Sequence, residues 1–197
     1  IHHFIDIFME EEEVQFSALC ADMPDGSLCV AFRGTDSTLV GWKEDFNMCG
    51  LEPVPAQEAA AFYLEKAAEQ TDRPIRVVGH SKGGNLSVLA AACADPGVAE
   101  RVTDVYTFDG PGMCPQVFES EGYARIEGRI RAYVPRTAIV GLMMEHAREY
   151  TVVRSTGSGM SQHDSMTWEV YGPKFVTAEK VDEKAEMIRE TLHEWLD

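Results

Sequence analysis

Residues Ile75-Arg76-Val77-Val78-Gly79-His80-Ser81-Lys82-Gly83-Gly84-Asn85 constrain the chain more than any other stretch, because a β-branched run meets a glycine-flanked serine and then a small-residue helix pattern. A strand can turn this sharply into a helix where small neighbours leave room at the corner. The Gly79-x-Ser81-x-Gly83 spacing supplies that room and would lift Ser81 above the end of a sheet on a strained turn. A serine hydroxyl is a poor nucleophile until a base takes its proton and donors wait for the oxyanion. On such a turn the Lys82 backbone N–H faces the future oxyanion. The plain alternative is a strand-to-helix corner with an incidental serine. Gly84, Ser87, Ala90, Ala91 and Ala92 favour the nucleophile, since they let the helix approach the sheet closely. No Gly-Lys-Ser or Gly-Lys-Thr closes the turn, which argues against a phosphate loop.

The chain has 197 residues, 45% of them apolar, enough for one domain with a substantial core, so a single domain over 1–197 is expected. Its net charge of −16, from 33 acidic and 17 basic residues, argues against nucleic acid as a partner, because phosphate-backbone binding needs Lys and Arg to displace counterions. The acidity is spread along the chain, densest at Glu10 to Glu13, as on a solvated surface. Cys20, Cys29, Cys49, Cys93 and Cys114 are odd in number and form no CxxC pair, which argues against a disulfide framework and a structural zinc. A reducing, cytoplasmic setting is the expectation. No apolar run approaches the ~20 residues that span a bilayer, and no signal peptide is read at the N-terminus.

Val14 to Cys20 and Ser27 to Phe32 read as strands joined by the turn Met23-Pro24-Asp25-Gly26, an antiparallel pair opening the sheet. A helix is predicted from Gln57 to Gln70, stopped by Arg73-Pro74 before the strand Ile75 to Val78. A helix from Gly83 to Ala94 follows, then strands at Val102 to Phe108, Ile130 to Val134 and Tyr150 to Arg154. This alternation predicts an α/β fold, a mostly parallel sheet with helices on both faces. From Thr177 onward, Val181, Ala185, Ile188, Leu192 and Trp195 recur at spacings of four, three, four and three, one face of an amphipathic helix expected to dock on the sheet.

A base for Ser81 should lie later in the chain. His2 and His3 precede the elbow, His80 sits beside Ser81 where neighbouring side chains diverge, and His193 lies off the apolar stripe of the last helix. Of the remaining two, His163 is favoured over His146, because it follows a strand in the glycine- and serine-rich loop Gly157-Ser158-Gly159-Met160-Ser161-Gln162-His163-Asp164. The acid that would orient His163 is read as Asp109, at the end of the strand Val102 to Phe108 and entering Gly110-Pro111-Gly112. A turn-capping aspartate is the alternative for Asp109, and Asp164 or Glu145 for the acid. A second oxyanion donor is expected from Thr35 in Phe32-Arg33-Gly34-Thr35, with Arg33, Trp42, Glu44 and Asp45 as a hydrogen-bonded scaffold.

Val30-Ala31-Phe32-Arg33-Gly34-Thr35, then Trp42 and Asp45, then Gly79-His80-Ser81-x-Gly83-Gly84, together resemble the class 3 lipase group of α/β hydrolases over roughly the first half of the chain. The resemblance implies an α/β-hydrolase fold, Ser81 as nucleophile and Thr35 in the oxyanion hole. The second half departs from it. Phe108-Asp109-Gly110-Pro111 stands where those lipases usually show Phe-Gly-x-Pro, and Pro135-Arg136-Thr137 stands where they place the aspartate. Gln162-His163-Asp164, Thr167-Trp168-Glu169-Val170 and the Phe-Asp-Gly-Pro-Gly turn are similar to those of a little-characterised bacterial family of lipase-like α/β hydrolases.

The function expected is that of a serine esterase or lipase-like hydrolase acting on a small acyl ester or lipid-like substrate. It would use Ser81, His163 and Asp109 with the Thr35 and Lys82 N–H groups, and no metal or organic cofactor. Leu142 and Met143, within the apolar run Ile139, Val140, Leu142, Met143 and Met144, either contact an acyl chain or pack the core. The competing expectation is a non-catalytic binding module with a degenerate triad. A phosphoryl- or nucleotide-binding protein is a weaker third.

Overall fold

The computed structural model describes residues 1, 3–9, 14–35, 54–144, 149–183, 185–187 and 191. Trp42, Glu44, Asp45, Cys49, Glu145, His146, Ile188, Leu192, His193 and Trp195 lie outside the described residues. Seven strands form one sheet in chain order: β1 (His3–Met9), β2 (Val14–Asp22), β3 (Leu28–Phe32), β4 (Ile75–His80), β5 (Val102–Phe108), β6 (Ile130–Pro135) and β7 (Tyr150–Val153). The first two pairings are antiparallel and those from β3 to β7 are parallel. The mostly parallel α/β sheet that the alternation predicts is therefore present, with its antiparallel start, though among the described residues the crossover helices share one face rather than covering both. Strand β1 was not foreseen. Its Ile5-Asp6-Ile7 alternation carries the signal, but the flanking histidines and acidic run obscure it.

Between the parallel strands lie α1 (Pro55–Glu69), α2 (Lys82–Cys93), α3 (Pro96–Arg101), α4 (Pro115–Phe118) and α5 (Glu121–Ile126). Each crossover advances one strand in the same direction, and right-handed crossovers then put successive helices on one face, where α2 packs between α1 and α5. The main core lies under them. Val30, Leu64, Ile75, Val77, Leu86, Val105 and Ile126 are fully buried, and each such side chain contributes about 1.5–3 kcal/mol relative to exposure. The Cβ of a residue at Gly84 would touch Thr107, so Thr107 faces α2 and Phe108 points to the opposite face. There Phe108 and Tyr133 meet Trp168 and Phe175, while Arg76, Asp104 and Arg131 pair along the sheet. Phe175 belongs to a small hairpin, β8 (Val170–Tyr171) with β9 (Lys174–Phe175).

A second core cluster joins Val134, Ala138, Leu142 and Val152 to Val181 and Ala185. Residues 183, 185–187 and 191 are helical, and Asp182 Oδ1 accepts from the Ala185 N–H at 2.9 Å as an N-terminal cap. The docking expected of the C-terminal segment is thus met at Val181 and Ala185. Among the described residues, no helix is long and apolar enough to cross a membrane.

Candidate active site

Strand β4 ends at His80 and α2 begins at Lys82, so Ser81 alone makes the corner, with φ 57° and ψ −131°. A non-glycine residue at this φ carries strain of about 1–3 kcal/mol, tolerated only where surrounding structure fixes it. Here the surroundings are backbone. The Ser81 N–H donates to the Phe108 carbonyl at 2.9 Å, and the Ser81 carbonyl accepts from Gly84 at 2.8 Å. A Cβ at Gly79 would lie 2.0 Å from the Gly83 oxygen, and one at Gly83 2.1 Å from the Phe32 oxygen, so both sites exclude any side chain. A Cβ at Gly34 would stand 3.1 Å from Ser81 Cβ, which puts the Gly34 backbone alongside the serine.

Asp109 directly follows β5 in a left-handed conformation, φ 46°, with its N–H on the Tyr133 carbonyl at 2.8 Å. Its side chain is 1% exposed, and Oδ1 accepts from the Gly141 N–H at 3.0 Å. A Cβ at position 141 would fall 2.1 Å from that oxygen. Gly141 therefore admits the carboxylate, a requirement the sequence did not disclose. The following turn is anchored from below: Asn85 Nδ2 donates to the Gly112 carbonyl at 2.6 Å, and Gln57 Nε2 donates to Asn85 Oδ1 at 2.9 Å. Buried amides paired in this way are costly to disturb.

His163 closes the 3₁₀ turn Gly159–His163 after β7. Its Nδ1 lies 2.7 Å from Asp109 Oδ2 and its Nε2 lies 3.0 Å from Ser81 Oγ. A carboxylate only accepts, so Nδ1 carries the proton and Nε2 faces the serine as acceptor. The order Ser81–His163–Asp109 is a continuous hydrogen-bonded chain whose outer acid is buried, an arrangement able to take a proton from Ser81 and hold the resulting imidazolium. The neighbouring Gln162 clamps this turn to the loop after β6: it accepts from the Thr137 N–H at 3.1 Å and donates to Thr137 Oγ1 at 2.9 Å. Thr137 Oγ1 in turn donates to Asp182 Oδ2, and Trp168 Nε1 donates to the Gln162 carbonyl at 2.8 Å. Gln162, Thr137 and Asp182 escaped sequence reasoning because no local pattern links them.

Lys82 is the first residue of α2, one position before the expected helix start at Gly83, and its side chain is 1% exposed. Nζ donates to the Gln15 carbonyl at 2.6 Å and to Gln15 Oε1 at 2.8 Å, tying the start of β2 to the elbow. Asp164, the alternative acid, accepts from the Met166 N–H at 2.9 Å and caps its own turn. Leu142 is 2% exposed and packs in the second core cluster, so of its two expected roles the structure places it in packing. Met143 is half-buried, and its carbonyl accepts from the Gly112 N–H at 2.9 Å, beside the Asp109 turn. His80 lies against His163, with ring centroids 4.7 Å apart and its Nε2 2.6 Å from the His163 carbonyl oxygen. Burial, reinforced by His163, holds the His80 pKa below its ordinary value. Among the described residues, no group of three or more His, Cys, Asp or Glu side chains could hold a metal ion.

The fold recurs in fungal lipases. A triacylglycerol lipase from Penicillium expansum superposes with a TM-score of 0.50 at 12% identity, covering 92% of this chain and 75% of that one. A Rhizomucor miehei lipase in a propeptide complex gives 0.50 at 19% identity over 78% of this chain and 54% of that one. A fungal lipase–inhibitor complex gives 0.47 at 20% identity over 71% of this chain and 60% of that one. The chain thus spans little more than half the length of the last two lipases. The lipase-like α/β-hydrolase fold accounts for the parallel sheet and its antiparallel opening. A search of curated proteins gives no match. A family model described as Mbeg1-like matches residues 1–197.

Proposed function

The chain belongs to the Mbeg1-like family, and we propose that it is a serine hydrolase cleaving a carboxylic ester or related acyl bond through an acyl-enzyme. The observation that carries this reading is His163, which bridges Ser81 Oγ at 3.0 Å and the buried Asp109 carboxylate at 2.7 Å. Ser81 Oγ attacks the acyl carbon while its proton passes to His163 Nε2, and Asp109 stabilises the imidazolium. The carbonyl oxygen, now an anion, takes hydrogen bonds from the Lys82 and Thr35 backbone N–H groups. The tetrahedral adduct then collapses: the ester C–O bond breaks, the leaving alcohol takes the proton from Nε2, and the acyl group stays on Ser81. Water repeats the sequence, giving its proton to His163 and releasing the carboxylic acid. The chemistry requires no metal or organic cofactor.

The name of the Penicillium neighbour, a triacylglycerol lipase, supports an acyl ester of lipid-like character. Met143, half-buried beside the Asp109 turn, is assigned the substrate contact, with Leu142 as the packing behind it. The described cysteines Cys20, Cys29, Cys93 and Cys114 are free thiols, which supports a reducing compartment.

A fluorophosphonate probe tests the proposal. The wild type should become labelled, Ser81→Ala should not, and His163→Ala should react more slowly by about a thousandfold or more. Absence of serine-dependent labelling in the wild type would sink the hydrolase reading in favour of a binding module.

A further inference from the structure

We propose that His80 is a positioning residue for this reaction: its Nε2–H holds the main-chain carbonyl of His163, and with it the imidazole, in register with Ser81. The inference rests on the hydrolase reading and goes beyond it, because none of the proton transfers above requires His80.

The contact determines the chemistry of the His80 ring. A peptide carbonyl can only accept, so at 2.6 Å the Nε2 must carry the hydrogen. Burial keeps the ring neutral at neutral pH, and a neutral imidazole has a single N–H. His80 is therefore fixed as the Nε2–H tautomer, with that proton committed to His163. Neutrality matters as well: the two rings stand 4.7 Å apart, and a charged His80 would oppose the imidazolium that forms on His163.

The fold explains why this position does the holding. His80 and Ser81 are consecutive, so their side chains leave the chain in different directions. His80 is the last residue of β4, on the face that bears Phe108, and it pairs with Phe108 across to β5. From there it reaches the His163 backbone, while Ser81 reaches the His163 ring. One rigid corner thus sets both ends of the same residue. The other side-chain supports on this turn, Gln162 to Thr137 and Trp168 to the Gln162 carbonyl, act one residue upstream; on the His163–Asp164 peptide itself the N–H donates to the Ser161 carbonyl at 3.3 Å, and His80 takes the carbonyl.

Three substitutions separate positioning from bulk. In His80→Gln the amide nitrogen sits as many bonds from Cβ as the imidazole Nε2 and can make the same bond. His80→Phe keeps the ring and loses the donor, and His80→Asn keeps a donor that falls one bond short. Ester hydrolysis and fluorophosphonate labelling should stay within about threefold of wild type for His80→Gln, and kcat should fall about ten- to a hundredfold at unchanged KM for the other two. Thermal melting identifies any variant that fails to fold. A folded His80→Phe that reacts at the wild-type rate overturns the proposal, as does a His80→Gln no better than His80→Phe. Imidazole nitrogen NMR of isotopically labelled protein, with the His80 signal assigned by its loss in His80→Gln, gives a readout independent of activity. If the wild type takes no probe, the hydrolase reading fails by itself; the Nε2–H tautomer would then retain the tether, and an Nδ1–H tautomer would overturn it.

Discussion

Ser81 and His163 face each other across 3.0 Å, yet the two are held by different means. Around the serine the closest supports are backbone on backbone, two peptide hydrogen bonds and glycines at 34, 79 and 83 that let main chains touch, with the buried Lys82 side chain tied to Gln15 beside them. Around the histidine they are side chains reaching from separate elements: His80 from β4, Asp109 from just after β5, and Gln162 anchored on Thr137 after β6. Backbone contacts of the first kind tolerate no change in volume. Side-chain bonds of the second kind can be lost singly, and their loss should appear in the chemistry before it appears in the fold.

The strongest test of that contrast is Gly79→Ala or Gly83→Ala. The new Cβ would fall 2.0–2.1 Å from a carbonyl oxygen, and neither partner is a flexible side chain. Overpacking of this severity is expected to cost about 3 kcal/mol or more and to lower soluble yield, read by urea denaturation. A variant that melts like wild type would show that the elbow can relax, and the contrast would fail on its rigid side.

Asp109→Asn comes next and acts on the other side. Asparagine keeps an oxygen for the Gly141 N–H but presents an amide that cannot serve His163 Nδ1–H as the carboxylate does. Turnover should fall on the order of 10³–10⁴-fold while the melting temperature moves little. Little loss of turnover would return the acid role to Asp164 or Glu145.

This division also explains what the sequence could disclose. The elbow is encoded in consecutive residues, and its glycines state their own reason, so the strand, the corner and α2 are legible from Ile75 to Asn85. Asp109 and His163 could be named because each follows a strand, at the edge where such sheets gather polar groups. Their supports could not. Gly141 is required only because an oxygen of Asp109 arrives from a distant loop, and Thr137 meets Gln162 only after β6 and β7 have paired. The same limit hid the buried Lys82 side chain, whose acceptors lie on β2. Edge strand β1 escaped for another reason: only Ile5 and Ile7 mark its inward face, too short an alternation to stand out beside charged neighbours.

Gln162→Leu sharpens the contrast with a smaller step. It removes both bonds to Thr137 while leaving the Trp168 bond to the Gln162 carbonyl, so the turn keeps its course and loses one tether. Loosening His163 by a fraction of an ångström is expected to reduce kcat about tenfold. Comparing kcat with KM and with the melting curve shows whether the loss is confined to the chemistry.

The smallest effect is expected at the opposite edge of the sheet, where stability and chemistry should separate completely. Asp25, in the turn between β2 and β3, accepts from the Ser27 hydroxyl at 2.7 Å, from the Arg76 guanidinium and from the Ser27 N–H at 3.0 Å. These bonds hold its carboxyl well below the usual carboxylate range. A folded-state pKa below the unfolded one means that the contribution is present above the ordinary value of 3.8 and is lost as pH falls below it. Asp25→Asn should therefore melt lower than wild type at pH 7, by no more than about 2 °C for a solvent-exposed group, and the difference should shrink under acid. Hydrolysis at pH 7 should be unchanged, because the turn lies where β4 begins and Ser81 lies where it ends. A loss of activity in Asp25→Asn would mean that strain at one edge of the sheet reaches the other through β4, and that the backbone-built half is less rigid than its glycine contacts imply.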